Sequence, residues 1–186
     1  MPVLKKISPR YICTLILVYG AFFFSAQISP TREYQVKAVF LFNFSQFVEW
    51  PAHCFPSAQS PAVIGILGKD PFGKYLEETI SGETINKHPL VLKRFDNVED
   101  IANCHILFIN ITDKDKLEQI IQKLKGKNIL TVSDTNDFSK LGGMVRLYTK
   151  NDKINIQVNL DETKSENLTV SSKLLKLAEI VKTDKK

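Results

Sequence analysis

The sequence lacks the short motifs that place a nucleophile, a base or a metal in most hydrolases. It has no G-x-S-x-G elbow, no H-E-x-x-H helix, and no serine, histidine and aspartate in a recognisable catalytic order. Most acidic residues stand at helix-capping positions or on solvated faces. Because no activated nucleophile is visible, we predict that the protein is not an enzyme and needs no cofactor.

The chain also lacks the signature of a nucleic-acid-binding protein. Its net charge is +5 over 186 residues, but three of the positive charges lie in residues 1–27. The remainder carries about +2, and no basic stripe interleaves with stacking aromatic residues. We therefore expect no nucleic-acid partner. No repeat, linker or low-complexity segment divides the rest of the chain, so we expect one domain.

The first 27 residues have the layout of an export signal. Three basic residues precede an uncharged apolar run of 14 residues at 11–24, and Ser25-Ala26-Gln27 then turns polar. The run is shorter than the ~20 apolar residues of a membrane-spanning helix. We predict a cleaved signal at 1–27 and a domain at 28–186. Phe24 stands where a small residue is preferred for cleavage after Ala26, so an uncleaved anchor is the alternative.

Cysteine is scarce, and the signal contains Cys13, which leaves Cys54 and Cys104 in the exported domain. An even number of cysteines in an exported protein permits a disulfide. The alternative is that Cys104 is a small buried residue just before a strand. His53 and His105 adjoin the two cysteines, but adjacent donors rarely point at one ion, so we predict no metal site.

An aromatic segment at residues 33–51 is the most informative stretch. At about 100° per residue its large apolar side chains share one helical face, which predicts a helix that forms a wall of the core. The residues of this face are Val36, Phe40, Phe44, Phe47 and Val48, with Leu41 at its edge. Lys37 projects into the same sector, where it either extends into water or meets a carboxylate or an anionic ligand.

Two apolar residues of this helix, Val39 and Phe42, project towards its polar side. They could be scattered surface residues, or Phe42 could meet a loop or the last helix of the chain. They could instead form an apolar patch that contacts a second chain. With Gln46 and Trp50 they are our predicted partner interface.

Short apolar runs alternate with helical segments in the middle of the chain. The runs are residues 62–67, 89–95, 105–109 and 128–132. Helices are expected after Asp70, which precedes Pro71, after Asn97 and after Asp113. This alternation predicts a parallel sheet with helices on both faces.

The last third of the chain changes pattern. Segments 144–148 and 154–160, in which apolar and polar residues alternate, flank the polar turn 150–153. They predict an antiparallel hairpin with one solvent-exposed face. Apolar spacing over 170–181 predicts a final helix. The predicted fold is α/β, with a mostly parallel central sheet of about six strands, an antiparallel C-terminal hairpin at one edge, and helices on both faces.

A ligand in such a sheet would lie beyond the carboxyl ends of the strands. Residues there that suit an anion are Gly68, Lys69, Asp70, Asn110 and Thr112, with Lys37 as a further cation. The loop contains neither G-x-G-x-x-G nor a P-loop, however. The alternative is an ordinary strand-to-helix turn in which Asp70 caps the next helix.

Several segments, in order and spacing, resemble one known family. They are Tyr34-Gln-Val-Lys-Ala-Val-Phe40, Asn43-Phe44, Phe47-Val-Glu-Trp-Pro51, Gly68-Lys-Asp-Pro-Phe-Gly73, Cys104-His-Ile-Leu-Phe-Ile109, Ile129-Leu-Thr-Val132, Gly142-Gly143, Asn159-Leu160 and Ser171-Ser172-Lys-Leu-Leu175. The chain resembles the YfiR family of exported bacterial regulatory proteins, and the resemblance spans nearly all of residues 28–186.

The resemblance implies a periplasmic α/β regulator without enzymatic activity. The best-known member is dimeric and restrains a membrane-bound diguanylate cyclase by holding its periplasmic sensor domain, under redox control. The expected partners are therefore a membrane-anchored sensor protein in cyclic-di-GMP signalling and a second copy of the chain. The alternative function is a periplasmic protein that binds a small ligand such as a nucleotide or another anion.

The resemblance also bears on the cysteines. Cys104 occupies the position of a bridging cysteine of that member. The partner cysteine there lies in the first strand, where this sequence has Ile64-Gly65-Ile66, so Cys54 is the nearest available partner. A second cysteine pair of that member has no counterpart in residues 141–147.

Overall fold

The chain enters the fold through a long helix that packs on one face of a sheet. The computed structural model describes residues 30–184, and the predicted signal at 1–27 lies outside them. The helix is α1, Pro30–Phe47. The next two residues, expected to continue it, form the short strand β1, Val48–Glu49. Among the described residues, no helix is both long and apolar enough to cross a bilayer.

The remaining elements alternate between strands and short helices. In chain order they are β2 (Ala62–Gly68), α2 (Lys74–Ile80), β3 (Thr84–Ile85), β4 (His88–Phe95), β5 (Ile106–Asn110), α3 (Lys114–Leu124), β6 (Leu130–Ser133), β7 (Val145–Lys150), β8 (Lys153–Asn159), α4 (Leu160–Ser165), β9 (Thr169–Val170), α5 (Ser172–Leu175) and β10 (Ala178–Val181). Two 3₁₀ turns, Ala52–Cys54 and Val98–Asp100, lie in the connections.

Eight of the strands form one mixed sheet in the order β10-β8-β7-β6-β5-β2-β4-β3. The pairs β4–β2, β2–β5, β5–β6 and β6–β7 are parallel, and so is the pair β10–β8. The β7–β8 hairpin and the β3–β4 pair are antiparallel. The predicted α/β class and the hairpin are confirmed. The predicted sheet is wrong in detail. The observed sheet is mixed and has eight strands, and β10, not the hairpin, forms the edge.

The predicted helix over residues 170–181 is wrong. The chain forms only the short helix α5 there and then the strand β10. Leu177, expected on the buried face of the helix, is 71 % exposed. Without β10, the outer strand of the hairpin, β8, would have an unpaired edge. Residues 178–181 form a strand because they hydrogen-bond to β8 along that edge.

Helices cover both faces of the sheet, as predicted. Alternate residues of β2 and β5 enter two separate apolar clusters, so the clusters lie on opposite faces. The α1-face core includes Leu41, Phe44, Leu76, Phe72 and Phe108. The α3-face core includes Leu107, Ile109, Leu117, Ile121 and Phe138.

Helix α1 packs on the sheet through a face that only partly matches the predicted one, since Phe44 and Val48 are buried as expected. Its fully buried residues, with the first residue of β1, are Lys37, Ala38, Leu41, Phe44, Ser45 and Val48. Val36, expected in the core, is 38 % exposed, and Phe40 and Phe47 are half-buried. Apolar side chains surround most of this helix, so their spacing alone does not select the buried face. The buried lysine of this face is paired with Asp134, which lies far away in the sequence.

Candidate functional site

Lys37 lies in a charged cluster where α1 meets the residue that follows β6. Its side chain is only 2 % exposed. Its Nζ is 2.6 Å from Asp134 Oδ2 and 2.7 Å from Glu33 Oε1. Of the interpretations that the sequence allowed, the structure shows a lysine that meets carboxylates, and not one that extends into water.

Tyr34 completes this cluster. Its hydroxyl donates to Asp134 Oδ2 at 2.8 Å, and Lys37 Nζ lies 4.5 Å from its ring centroid. Burial, together with the hydrogen bond to Asp134, raises the pKa of Tyr34 well above its ordinary value. Tyr34 therefore stays neutral and keeps donating. We call Glu33, Tyr34, Lys37 and Asp134 the Asp134 clamp, because one carboxylate holds two side chains of α1.

The loop after β2 is held by its own aspartate. Asp70 Oδ1 accepts from the amides of Phe72 at 2.7 Å and Gly73 at 3.2 Å, while Oδ2 accepts from Arg94 Nε at 2.8 Å. Asp70 thus caps the turn, and α2 begins only at Lys74, not at Pro71 as predicted. The amides that an anion would need are already hydrogen-bonded to a carboxylate.

The other predicted ligand residues have mixed surroundings. Asn110 Nδ2 donates to the carbonyl of Lys69 at 2.7 Å, which joins the loops that follow β2 and β5. Gly68 has a φ of 90° and lies against the Asn110 carbonyl. Lys69 and Thr112 are exposed, whereas Lys37 is engaged in the Asp134 clamp. A ligand role for this set stays a prediction.

A groove of about 600 Å³ borders this loop and α1. Its lining includes Tyr34 of the clamp and the charged residues Asp70, Lys74 and Glu78. Acidic and basic side chains therefore line it together, so its charge does not select an anion.

Cys54 and Cys104 are free cysteines, so the disulfide that the sequence permits is not formed. Cys54 packs against the α1-face core, whereas Cys104 belongs to the α3-face core, so the two residues approach the sheet from opposite faces. Burial raises the pKa of the Cys104 thiol to about 12 and raises that of Cys54. Neither thiol is therefore an activated nucleophile.

The predicted partner interface divides into accessible and buried residues. Val39 is 46 % exposed, and the exposed Gln46 donates to the carbonyl of Thr84 at 3.2 Å. Phe42 packs against the α1-face core, and the buried Trp50 donates from Nε1 to the carbonyl of His105 at 3.2 Å. The structure thus uses Phe42 and Trp50 to hold the fold.

An exposed apolar surface remains on the outer side of α1. Val36 lies three positions before Val39, so the two residues share one side of the helix. Half-buried Phe40 follows Val39 directly, and half-buried Phe47 lies about two turns further along the helix. We call Val36 and Val39 the outer face of α1.

Glu166 is a structural residue that sequence reasoning missed. Its buried carboxylate accepts from the amides of Gly126 at 2.6 Å and Asn128 at 2.9 Å. Its own carbonyl accepts from Asn128 Nδ2 at 2.7 Å. These bonds tie the end of α3 to the residue after α4. No local signal marks Glu166, because its partners lie 38 to 40 positions away in the chain.

Replacing this carboxylate should cost stability. We expect Glu166→Gln to lower the free energy of unfolding by about 2 kcal/mol, because the new amide can accept one backbone N–H but opposes the other. Urea denaturation followed by the fluorescence of Trp50 measures the change. Glu78→Gln, at an exposed carboxylate, is the control and should have little effect. Equal losses in the two variants would contradict this role of Glu166.

The sequence matches the YfiR/HmsC-like family over residues 34–179, from α1 to β10. The chain belongs to this family. The match includes every element of the eight-stranded sheet, so the fold described above is that of the YfiR/HmsC-like domain in this chain.

The YfiR-like segments of the sequence map onto contacts that hold the domain together. Tyr34 and Lys37 bind Asp134, and Trp50 binds the carbonyl of His105. Asn159 and Ser171 cap α4 and α5 through their side-chain oxygens. In this chain, the side chains of these segments therefore hold the domain together.

Proposed function

We propose that this protein is a non-enzymatic periplasmic regulator that restrains a membrane-anchored sensor protein, such as a diguanylate cyclase, by binding its periplasmic domain. Membership of the YfiR/HmsC-like family supports the regulatory class. The observation that carries the proposal is the outer face of α1, where Val36 and Val39 are 38 % and 46 % exposed beside the half-buried Phe40.

The reactive groups of the domain favour a binding role over catalysis. Lys37, Tyr34 and Asp134 are bound to one another in the Asp134 clamp. The thiol of Cys104 is buried with a raised pKa. Both ring nitrogens of His105 are engaged with the backbone. The side chains that could do chemistry are therefore the ones that hold the structure.

The outer face of α1 suits a protein partner. Because less than half of each valine is still exposed, a partner that covers them gains roughly 0.5–1 kcal/mol from each by apolar burial. Since both are exposed in the free protein, a charge placed there should weaken association while leaving the fold intact. Aspartate at both positions is therefore a specific test of binding.

The experiment measures cyclic-di-GMP in the native host. Deletion of the gene should raise its level, and the wild-type gene should restore it. The double variant Val36→Asp/Val39→Asp should fail to restore it although it is exported at normal abundance. Leu177→Asp, which places one such charge on an exposed apolar residue outside α1, should restore it. An unchanged level on deletion, or full restoration by the double variant, would contradict the proposal.

The anion-binding alternative has less support, because Asp70 already satisfies the amides of its loop. A thermal-shift screen with nucleotides tests it separately. A ligand at 100 times its dissociation constant would stabilise the protein by about 2.7 kcal/mol. We expect no such shift.

A further inference from the structure

A second cavity, of about 440 Å³, lies at the end of the sheet opposite the Asp134 clamp. Residues 53–56, 101–105 and 127–129 line it, and we call it the amino-end cavity. The strands β2, β5 and β6 are parallel, so the segments that lead into them meet at one edge of the sheet. Its volume falls within the range of small-molecule sites, roughly 300–1,000 Å³.

The walls of the amino-end cavity are fixed by contacts within the protein. The ring of His53 hydrogen-bonds through Nε2 to Asn128 Oδ1 at 3.1 Å, which joins two of the three lining segments. His105 Nε2 lies 3.2 Å from the carbonyl of Cys54, and Phe55 stacks on the His105 ring with 4.5 Å between centroids. A preformed cavity of this kind binds a ligand at a low cost in conformational entropy.

The hydrogen bond between His53 and Asn128 has a fixed direction. Asn128 Nδ2 donates to the carbonyl of Glu166 at 2.7 Å, so Oδ1 faces His53 and accepts. His53 therefore donates from Nε2. Its Nδ1 has no hydrogen bond to any described residue, and protonation of Nδ1 turns it into a donor while the bond to Asn128 is kept.

The charge of this lining differs from that of the groove beside α1, where Asp70, Lys74 and Glu78 lie together. Among the described residues, Lys127 is the one permanently charged side chain that lines the amino-end cavity, and no carboxylate lines it. Lys127 also forms no ion pair within residues 30–184. A cleft lined by charge of one sign attracts ligands of the opposite sign.

Two carboxylates behind this lining are engaged elsewhere. Glu99 lies 2.6 Å from the ammonium of Lys123, and this hydrogen bond, more than the charge of Lys127, lowers the pKa of Glu99. The buried carboxylate of Glu166 accepts from two backbone amides. The ammonium of Lys127 is therefore left for a ligand.

The rest of the lining is largely apolar. It includes Pro56, the buried side chains of Ile101 and Ile129, and the half-buried Cys54. One cation beside an apolar wall matches a ligand that has one negative charge on an apolar body. A nucleotide, which carries several negative charges, would find only one permanent cation here.

We propose that the amino-end cavity binds a small organic monocarboxylate, whose carboxylate meets Lys127 and His53 and whose apolar body packs against Ile101 and Ile129. The cavity shares no residue with the outer face of α1 or with the loop after β2. The proposal therefore does not rest on the proposed regulatory function, and its test involves no protein partner.

Benzoate is the probe, and its binding to the exported protein is measured by isothermal titration calorimetry. We expect saturable binding of benzoate. Benzamide has the same ring without the charge and should bind at least about tenfold more weakly, because a hydrogen bond to a charged group is the stronger one. Inorganic phosphate, which lacks the apolar body, should not bind saturably. Absence of saturable benzoate binding, or equal affinities for benzoate and benzamide, would overturn the proposal.

Variants of the exposed lysines test the role of Lys127. Lys127→Met removes a charge that has no ion pair in the described structure, so the protein should fold and its affinity for benzoate should fall about tenfold. Lys127→Arg keeps the charge and should keep most of the affinity. Lys125→Met removes an exposed lysine that lies outside this cavity and should change nothing. Equal affinities of Lys127→Met and Lys125→Met would contradict the site.

The thiol of Cys54 reports where benzoate binds, because it lines the cavity and is only half-buried. At about ten times its dissociation constant, benzoate should slow the labelling of Cys54 by 4,4′-dithiodipyridine about tenfold, in proportion to the occupied fraction. The buried Cys104 should stay unreactive throughout. Cys54 labelling that keeps its rate in saturating benzoate would place the ligand elsewhere and overturn the proposal.

Discussion

Lys37→Met is expected to lower the free energy of unfolding by about 3 kcal/mol. The lysine is almost fully buried, and its removal leaves Asp134 and Glu33 as carboxylates without their cation. Urea denaturation followed by Trp50 fluorescence measures the loss. The size of the effect follows from burial, because an ion pair of similar length at the surface contributes little.

Two further variants make this prediction specific. Lys37→Met/Asp134→Asn removes both charges but keeps an acceptor for the Tyr34 hydroxyl, so most of the loss should be recovered. The matched control is Lys114→Met, which breaks the exposed pair of Lys114 with Asp137 at 2.8 Å and should change nothing measurable. Equal effects of Lys37→Met and Lys114→Met would contradict the Asp134 clamp.

Gly65→Cys should form a disulfide with Cys104 and make stability depend on redox state. A Cβ built on Gly65 lies 2.8 Å from Cys104 Sγ, close to the ~3 Å between a Cβ and the far sulfur of a disulfide. The closed loop of about 40 residues should stabilise the oxidised over the reduced form by about 4 kcal/mol. Urea denaturation of the same variant with and without dithiothreitol measures the difference.

The new side chain also approaches Phe95 and Leu107, which must shift in both redox states. The free-energy cost of displacing these two side chains cancels when the oxidised and reduced forms of one variant are compared. Gly65→Ser meets the same neighbours without a sulfur and should show no redox dependence. Free thiols at both positions after oxidation, detected by alkylation and mass spectrometry, would contradict the geometry.

The local signals of the sequence predict the alternation of strands and helices. Asp113 caps α3 as expected, its carboxylate accepting from the amide of Lys116 at 2.9 Å. The hairpin turns where Asn151 and Asp152 adopt positive φ. These features depend on neighbours within a few residues, so a reading along the chain finds them.

Features that depend on distant partners could not be predicted in this way. Residues 178–181 fit a helical spacing and an alternating one, and the free edge of β8 decides between them. On the buried face of α1, Lys37 is paired with Asp134, 97 positions away. Asn159 ends β8, as expected, but its side chain also caps α4, and the alternation that predicts the strand gives no sign of this helix.

The same distinction between local signals and distant contacts applies to the candidate sites. The sequence marks Lys37 and Val39 as exceptions, because both break the pattern of a single helix, but it leaves open whether Lys37 is buried. It could not show that Cys54 and Cys104 lie on opposite faces, or that His105 is held by the backbone of two other segments. Spacing in the sequence does not report such contacts.

The central claim is that the Asp134 clamp is structural and that contact surfaces carry the function. The most direct test is complementation of the deletion strain by Lys37→Met/Asp134→Asn, with cyclic-di-GMP as the readout. We predict that this variant is exported, folded and able to restore the wild-type level. A folded, exported variant that leaves cyclic-di-GMP at the level of the deletion would contradict the claim, because Lys37 or Asp134 would then act in function directly.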